Sequence, residues 1–404
     1  MARRAIASLV LGLSLLATLH VPSAQAVTAV NLVGTLDRVN TDALFAFGSI
    51  IDPATSFPGN PYAATAGTLL PLPAAGQLWQ VYPHVDDSPN TAVLVRDDAT
   101  LTTVASFTIA ERLRRGGRAA WGGEWMHAVD GGTRVFLVGD TSIVSVDLAT
   151  FAVTTVANAD IVDGFQAIGL AGITYDGAVN ALYALHSGVP SLAAGHAVSL
   201  IRRIDLMTGA SIHRVVRSCR GFPAVDSSLT MAASLLVGAS DLYLACNGVN
   251  GGMISPPDQA VVRLPLATAF DPAGAEQAVT GTGPLEGAIV DQSSGRMFLA
   301  GADGRLSAFD TAPMAYAWSI PVATSAVYGI GRNAATGEIY FQSSLGFGVL
   351  DGTSPTAPTP FVLTSAAGPG QERIVSQPGT DRAFVLPDWS TWKPAAYTIY
   401  EIVP

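Results

Sequence analysis

The feature that most constrains this sequence is a unit that recurs along it. An apolar segment leads into a turn of Asp, Asn, Ser and Gly. A segment carrying an aromatic residue follows, and then a third segment that often ends in Asp. The clearest copies are LEGAIVD-QSSG-RMFLAG-ADG-RLSAFD over 285–310 and VYGIGRN-AATG-EIYFQS-SLG-FGVLD over 327–351. A third copy, AGITYD-GAVN-ALYALHSG and later SLIRRID, covers 171–205, and less complete ones begin at Trp125, Ser228 and Arg373. The aromatic markers are Phe136, Tyr183, Tyr243, Phe298, Tyr340 and Phe384, spaced by 47, 60, 55, 42 and 44 residues. Short strands and turns repeating every ~40–50 residues predict the blades of a β-propeller. One small sheet cannot bury both of its faces, whereas radial stacking buries them and leaves only short edges. No capped apolar period of 3.6 residues persists along the chain, so the expected class is all-β.

The blade count turns on the N-terminal part. The pair TAVLVRD and TLTTVASF, near Val93, adds a seventh unit. Residues 28–75 then have two readings. LVGTLD with ALFAFGS could make an eighth blade, or AVNLVGTL could close the ring. The last copy stops after its third strand at Val403, and an N-terminal strand would supply its missing outer edge. Seven blades are favoured, eight are the alternative, and six fit less well.

The first stretch, MARRAIASLVLGLSLLATLHVPSAQA, reads as an export signal, with Arg3 and Arg4 before a short apolar run and Ala24-Gln25-Ala26 at the cleavage site. A membrane anchor is the other reading, but the run is shorter than the ~20 residues that span a bilayer. Cleavage would leave 27–404 as one secreted or periplasmic domain, expected to be a monomer, and would take the net charge from −10 to −12. An acidic surface argues against nucleic acid and anionic membranes as partners. No later apolar run is long enough for membrane insertion. Cys219 and Cys246 are the only cysteines, and an even pair in an exported chain predicts a disulfide.

The turn pattern, the aromatic strand and the endings SVDLATF, RRIDLMTG and SAFDTA resemble the YVTN and NHL class of bacterial propellers. They also resemble the wider set of streptogramin lyases and SMP-30 gluconolactonase-like proteins. Leu285-Glu286-Gly287 is similar to the Glu-Gly that opens an inner strand in gluconolactonase-type propellers, which implies a metal-ligand role for Glu286. That family's usual following Pro is Ala288 here, and its other ligands have no counterpart in this chain.

Aligned on the residue that opens the turn, Asp130, Asp176, Asp291, Asn333 and Gln377 become equivalent. Five positions earlier stand Trp125, Ala171, Glu286, Tyr328 and Glu372. Two carboxylates at one height around a channel mouth could hold a divalent cation such as Ca²⁺, or split their pKa values for acid–base work. Trp125, His127, Tyr328, Arg332 and Arg373 on the same strands are the candidate ligand-binding residues. The bland readings are rim glutamates in solvent and a His127 packed between blades.

No nucleophile elbow, zincin, P-loop or EF-hand motif occurs. Two functions remain. One is a binding propeller taking a small molecule, glycan or protein on its top-face loops, with 186–198, 247–259 and the Pro-rich 352–360 supplying the surface. The other is a metal-assisted hydrolase or lyase at the channel mouth.

Overall fold

The computed structural model describes residues 29–37, 68–85, 90–100, 102–113, 127–159, 162, 167–189, 198–220, 234–248, 258–291, 294–324, 326–332, 337–343, 346–352, 359–361, 373–376, 383–386 and 396–403. Among them are 28 strands and two single-turn 3₁₀ segments, Pro73–Ala75 and Leu266–Thr268, with no α-helix.

Strand β1 (Ala29–Asp37) comes first in the chain but belongs to the last sheet. Sheet 1 holds β2 (Thr68–Leu72), β3 (Gln77–Val85), β4 (Asn90–Asp97) and β5 (Thr103–Ile109). Sheet 2 holds β6 (His127–Asp130), β7 (Arg134–Val138), β8 (Ser142–Asp147) and β9 (Val153–Asn158). Sheet 3 holds β10 (Ala167–Asp176), β11 (Ala181–Val189), β12 (Val198–Asp205) and β13 (Ser211–Arg220). Sheet 4 holds β14 (Ser234–Val237), β15 (Asp241–Asn247), β16 (Gln259–Pro265) and β17 (Gln277–Thr280). Sheet 5 holds β18 (Leu285–Asp291), β19 (Arg296–Gly301), β20 (Arg305–Asp310) and β21 (Ala315–Pro321). Sheet 6 holds β22 (Val327–Arg332), β23 (Glu338–Ser343), β24 (Gly346–Asp351) and β25 (Thr359–Phe361). Sheet 7 is β26 (Arg373–Ser376), β27 (Ala383–Leu386) and β28 (Ala396–Val403), with β1 as its outer strand.

Each sheet is an antiparallel meander of four strands, and the described residues hold seven of them. The N-terminal strand pairs with β28 from Ala29↔Val403 to Asp37↔Ala396, supplying the outer edge that the last copy lacks. LVGTLD thus lies in β1, while ALFAFGS falls outside the described residues. The seventh unit is larger than the pair near Val93, because β2 and β3 precede β4 and β5 in the same sheet.

The sequence register survives in the ladders. Phe136 pairs with Ala128, Tyr183 with Thr174, Phe298 with Ile289, Tyr340 with Gly331 and Phe384 with Val375. Each inner-strand partner lies two residues before the aligned turn position. Tyr243 pairs with Leu236 in the same way, and Trp79, paired with Leu70, is the marker of sheet 1 that the motif scan missed.

The core lies between sheets. Leu70, Trp79 and Val93 of sheet 1 share a buried cluster with Val135, Leu137 and Val144 of sheet 2. Phe136, Val138 and Ile143 of sheet 2 meet Ile173, Leu182 and Ile204 of sheet 3. Equivalent clusters join sheets 3 and 4, 4 and 5, and 5 and 6. First strands abut in series, β6 on β10, β10 on β14, β14 on β18, β18 on β22 and β22 on β26.

The third-to-fourth strand turns are closed by the aspartates seen in the sequence endings. Asp147 Oδ1 accepts from the Ala149 and Thr150 amides and the Thr150 hydroxyl, at 2.8–3.0 Å. Asp97 and Asp205 close the corresponding turns of sheets 1 and 3. Four residues after the turn aspartate the backbone is left-handed, at Phe151 (φ 57), Gly209 (φ 72) and Met314 (φ 58).

A meander sends successive links to alternate ends. The ends of the strands joined by 38–67, 110–126, 190–197, 221–233, 249–257, 362–372 and 387–395 all fall on one side, called here the long-link end. The first-to-second and third-to-fourth links fall on the other, the tight-turn end. This corrects one expectation. The end of β24 and the start of β25, the third and fourth strands of sheet 6 that the Pro-rich segment joins, lie at the tight-turn end, opposite the strand ends joined by 190–197 and 249–257; 353–358 falls outside the described residues.

Candidate functional site

Inner strands begin at the long-link end, and three of them share one irregularity there. Pairing jumps from Leu170 to Gly172 on β10, from Leu285 to Gly287 on β18 and from Val327 to Gly329 on β22. The skipped residues are Ala171, Glu286 and Tyr328. A bulged residue is released from the ladder and re-aimed, which is why bulges gather at rims and sites. The structure therefore brings these three to one equivalent position, with Glu286 half-buried. Gly172, Gly287 and Gly329 follow the three bulges.

Trp125, two residues before β6, and Glu372, the residue before β26, lie outside the described residues. His127 opens β6 opposite Leu137, and Arg373 opens β26 opposite Leu386; of their side chains nothing is described. No group of three or more His, Cys, Asp or Glu residues that could hold a metal occurs among the described residues.

Arg332 has a different setting. It is four residues beyond Tyr328, about 13 Å further along the strand at ~3.3 Å per residue, near the tight-turn end. Its Nη1 lies 2.6 Å from Asp291 Oδ2 of the preceding sheet, and its guanidinium stacks 5.6 Å from the centre of the Phe298 ring. Arg134 repeats this arrangement in sheet 2. It is paired with Asp130 at 2.6 Å and lies over Phe136 and over Tyr175 of the next sheet. A planar cation is suited to this double duty, since it takes a carboxylate at its edge and a ring on its face. These arginines tie turn aspartates to marker aromatics, and for Arg332 sequence periodicity does not reveal the role, because Asp291 and Phe298 are distant in the chain.

Cys219 on β13 and Cys246 on β15 are bonded, with Cα atoms 5.8 Å apart. Cys219 lies near the end of its strand. The bridge sits at the long-link end, flanked by 221–233 and 249–257, and ties sheet 3 to sheet 4 where two of the longest links leave the sheets.

Two carboxylates hold neighbouring sheets together, Glu276 between sheets 3 and 4 and Glu111 between sheets 1 and 2. Glu276 accepts from the Arg214 guanidinium (2.8 Å), the Arg217 and Ser218 amides (3.1 and 3.0 Å) and the Ser218 hydroxyl (2.8 Å). Glu111, after sheet 1, accepts from the amides and hydroxyls of Thr141 and Ser142 in sheet 2. Burial raises both pKa values, but the hydrogen bonds outweigh it and leave both carboxyls below their ordinary value.

No protein-family model and no curated protein matches the chain. Solved structures do. The propeller of Dos1 superposes with a TM-score of 0.52 at 11% identity, over 83% of this chain and 79% of that one. The Cps50 (Swd1) β-propeller domain of Myceliophteria thermophila gives 0.52 at 8% identity, over 83% and 96%. The fold is a β-propeller. At such low identity the likeness reaches the fold and stops there, and it does not single out the YVTN/NHL or gluconolactonase-like class. In propeller terms, β2, β6, β10, β14, β18, β22 and β26 are the innermost blade strands, and the bulges at Ala171, Glu286 and Tyr328 stand where these strands begin.

Proposed function

We propose that the chain is an exported binding propeller, and that its ligand is taken at the long-link end around the start of the inner strands. One observation carries this reading: Ala171, Glu286 and Tyr328 share a bulge where their inner strands begin, at the same end of the sheets as the strand ends that the longest links join. Binding residues gather on loops held by a rigid scaffold, and a tight-turn end offers little such surface. With Trp125 and Glu372 at the matching sequence offset, the position combines two aromatics with two carboxylates. That set suits a glycan, whose hydroxyls donate to carboxylates and whose apolar faces lie on aromatic rings. Seven blades closed by β1 and an export signal over 1–26 complete the proposal. The Cys219–Cys246 bridge supports export, because disulfides persist in oxidising compartments.

A divalent cation between Glu286 and Glu372, with hydrolase or lyase chemistry, is the second reading. It rests on the sequence offset of these two residues. The test is a glycan array probed with labelled wild-type chain and with Glu286→Gln, alongside calcium titration of both proteins. Bound glycan lost in the variant, without a calcium requirement, supports the binder; calcium bound by wild type and lost in Glu286→Gln supports the metal site.

A further inference from the structure

The segment that leads into β18, and so to Glu286, is held by the sheet before it. Asp258 Oδ1 accepts from the Gly283 amide at 3.0 Å, and Gln259 Nε2 donates to the Thr282 carbonyl at 3.0 Å. The Gln259 amide donates to the Gly283 carbonyl at 2.7 Å, and the Gly281 amide to the Gln259 carbonyl at 2.9 Å. The last of these contacts falls next to the bulge. Asn247 Oδ1 accepts from the Leu285 amide at 2.8 Å, and both residues are buried.

The ladder explains why that amide is available. The Ala302 amide donates to the Pro284 carbonyl at 2.8 Å, so Leu285 and Gly301 face each other as a pair without mutual hydrogen bonds. The Leu285 amide therefore points away from β19, off the free edge of an innermost strand. A buried amide needs an acceptor, and Asn247 supplies it from sheet 4. Pro284 has no N–H, so Leu285 carries the first amide that can fix the start of the strand.

Glu286 is the next residue and has no partner position on β19. The direction of a bulged side chain depends on what holds the residues on either side of it. Gly287 is held opposite Ala300, and Leu285 is held by Asn247. Asn247 is itself fixed from both sides. Cys246 before it is bonded to Cys219 of sheet 3, and Gly248 after it pairs with Cys219 and donates to the Asp258 carbonyl at 2.7 Å. Its amide oxygen is an acceptor on an anchored backbone.

We propose that Asn247 is a positioning residue of the ligand site, which sets the direction of Glu286 by holding the Leu285 amide. This rests on the reading of the long-link end as the ligand site. It adds sheet 4 to a site whose bulges lie on sheets 3, 5 and 6. Asn247 touches no ligand and acts through Glu286.

The test is a double-mutant cycle. The glycan with the strongest array signal is titrated calorimetrically into wild type, Glu286→Gln, Asn247→Ala, Asn247→Asp and the double variant Asn247→Ala/Glu286→Gln. The urea midpoint of each protein is recorded alongside. Asn247→Ala should weaken binding about tenfold or more, the scale of a misplaced charge-assisted hydrogen bond. Asn247→Asp, which keeps an acceptor oxygen, should recover most of that loss. In the Glu286→Gln background Asn247→Ala should cost nothing further, because residues that act as one unit are not additive. A residue that merely stabilised sheet 4 would lower the urea midpoint and add its effect in either background. Hydrogen exchange at the Leu285 amide needs no ligand and should be slow in wild type and faster in Asn247→Ala. If Glu286→Gln weakens binding but Asn247→Ala does not, or the two effects add, or Leu285 exchanges alike in both proteins, the positioning role is overturned and the site stands. If no glycan binds, or Glu286→Gln binds as wild type does, the site falls and the positioning role with it.

Discussion

Arg332 Nη1 on one inner strand lies 2.6 Å from Asp291 Oδ2, the turn residue of the inner strand before it. The Asp291 side chain is 6% exposed and that of Arg332 23%, so the pair is largely withdrawn from water. Removing the arginine takes away the counter-charge of Asp291, leaving it the Ser294 hydroxyl, and exposes the face of Phe298. Arg332→Met should therefore lower stability by about 2 kcal/mol, the scale of a lost charge-assisted hydrogen bond. Urea denaturation measures it. A variant as stable as wild type that has lost ligand would return Arg332 to the binding site.

The disulfide should contribute more. Cys219 and Cys246 are separated by 27 positions, and closing a loop of that size removes about 3–4 kcal/mol of unfolded-chain entropy in the usual model. Reduction, or the Cys219→Ala/Cys246→Ala double variant, should lower the urea midpoint accordingly. An unchanged midpoint would show that the two sheets hold their long links without it.

Acid should unfold the protein through identified carboxyls. Glu276 and Glu111 bind protons more weakly in the fold than their ordinary value of 4.5, because hydrogen bonds outweigh burial. The unfolded chain then takes up protons first as pH falls. Their stabilisation is complete above 4.5 and is lost as pH drops through the lower folded values. Glu276→Gln should flatten the stability profile over that window and leave its shape near neutrality unchanged. A variant with the wild-type acid slope would remove Glu276 from the account.

Gly209 tests the repeated turn. Its φ is 72°, and an added Cβ would meet nothing within 4 Å. Gly209→Ala should cost about 1 kcal/mol from backbone strain alone. Phe151 holds the equivalent left-handed place in sheet 2, but its ring stacks on Phe107 at 5.3 Å and meets Trp79 edge-on at 6.5 Å. Phe151→Gly should destabilise despite relieving strain, because lost aromatic burial outweighs it. Paired thermal melts decide between the two directions.

Much of this architecture was legible in the sequence because it is local and repeated. The turn aspartates and marker aromatics lie at fixed offsets, so aligning them placed Ala171, Glu286 and Tyr328 together before any ladder was known. Trp79 escaped because its unit has Pro73-Ala74-Ala75-Gly76 in place of the acidic or amide residue that opens the turn at Asp130, Asp176, Asp291, Asn333 and Gln377. The Pro-rich segment was put at the wrong end because composition marks a loop but not the side on which strand order places it. The Arg332–Asp291 pair was illegible for a further reason: it is made where separate sheets meet, and no short spacing encodes that meeting.

The central claim is that the long-link end is where this propeller binds. The most direct measurement is calorimetric titration of a glycan selected on the array into wild type, Glu286→Gln, Tyr328→Ala and Met207→Glu, the last at an exposed residue between β12 and β13 at the tight-turn end. The account predicts that Glu286→Gln and Tyr328→Ala each weaken binding by about tenfold or more, the loss of a buried hydrogen bond or aromatic contact, while Met207→Glu binds as wild type does. A glycan whose affinity falls in Met207→Glu and survives both other substitutions would place the site at the opposite end and contradict it.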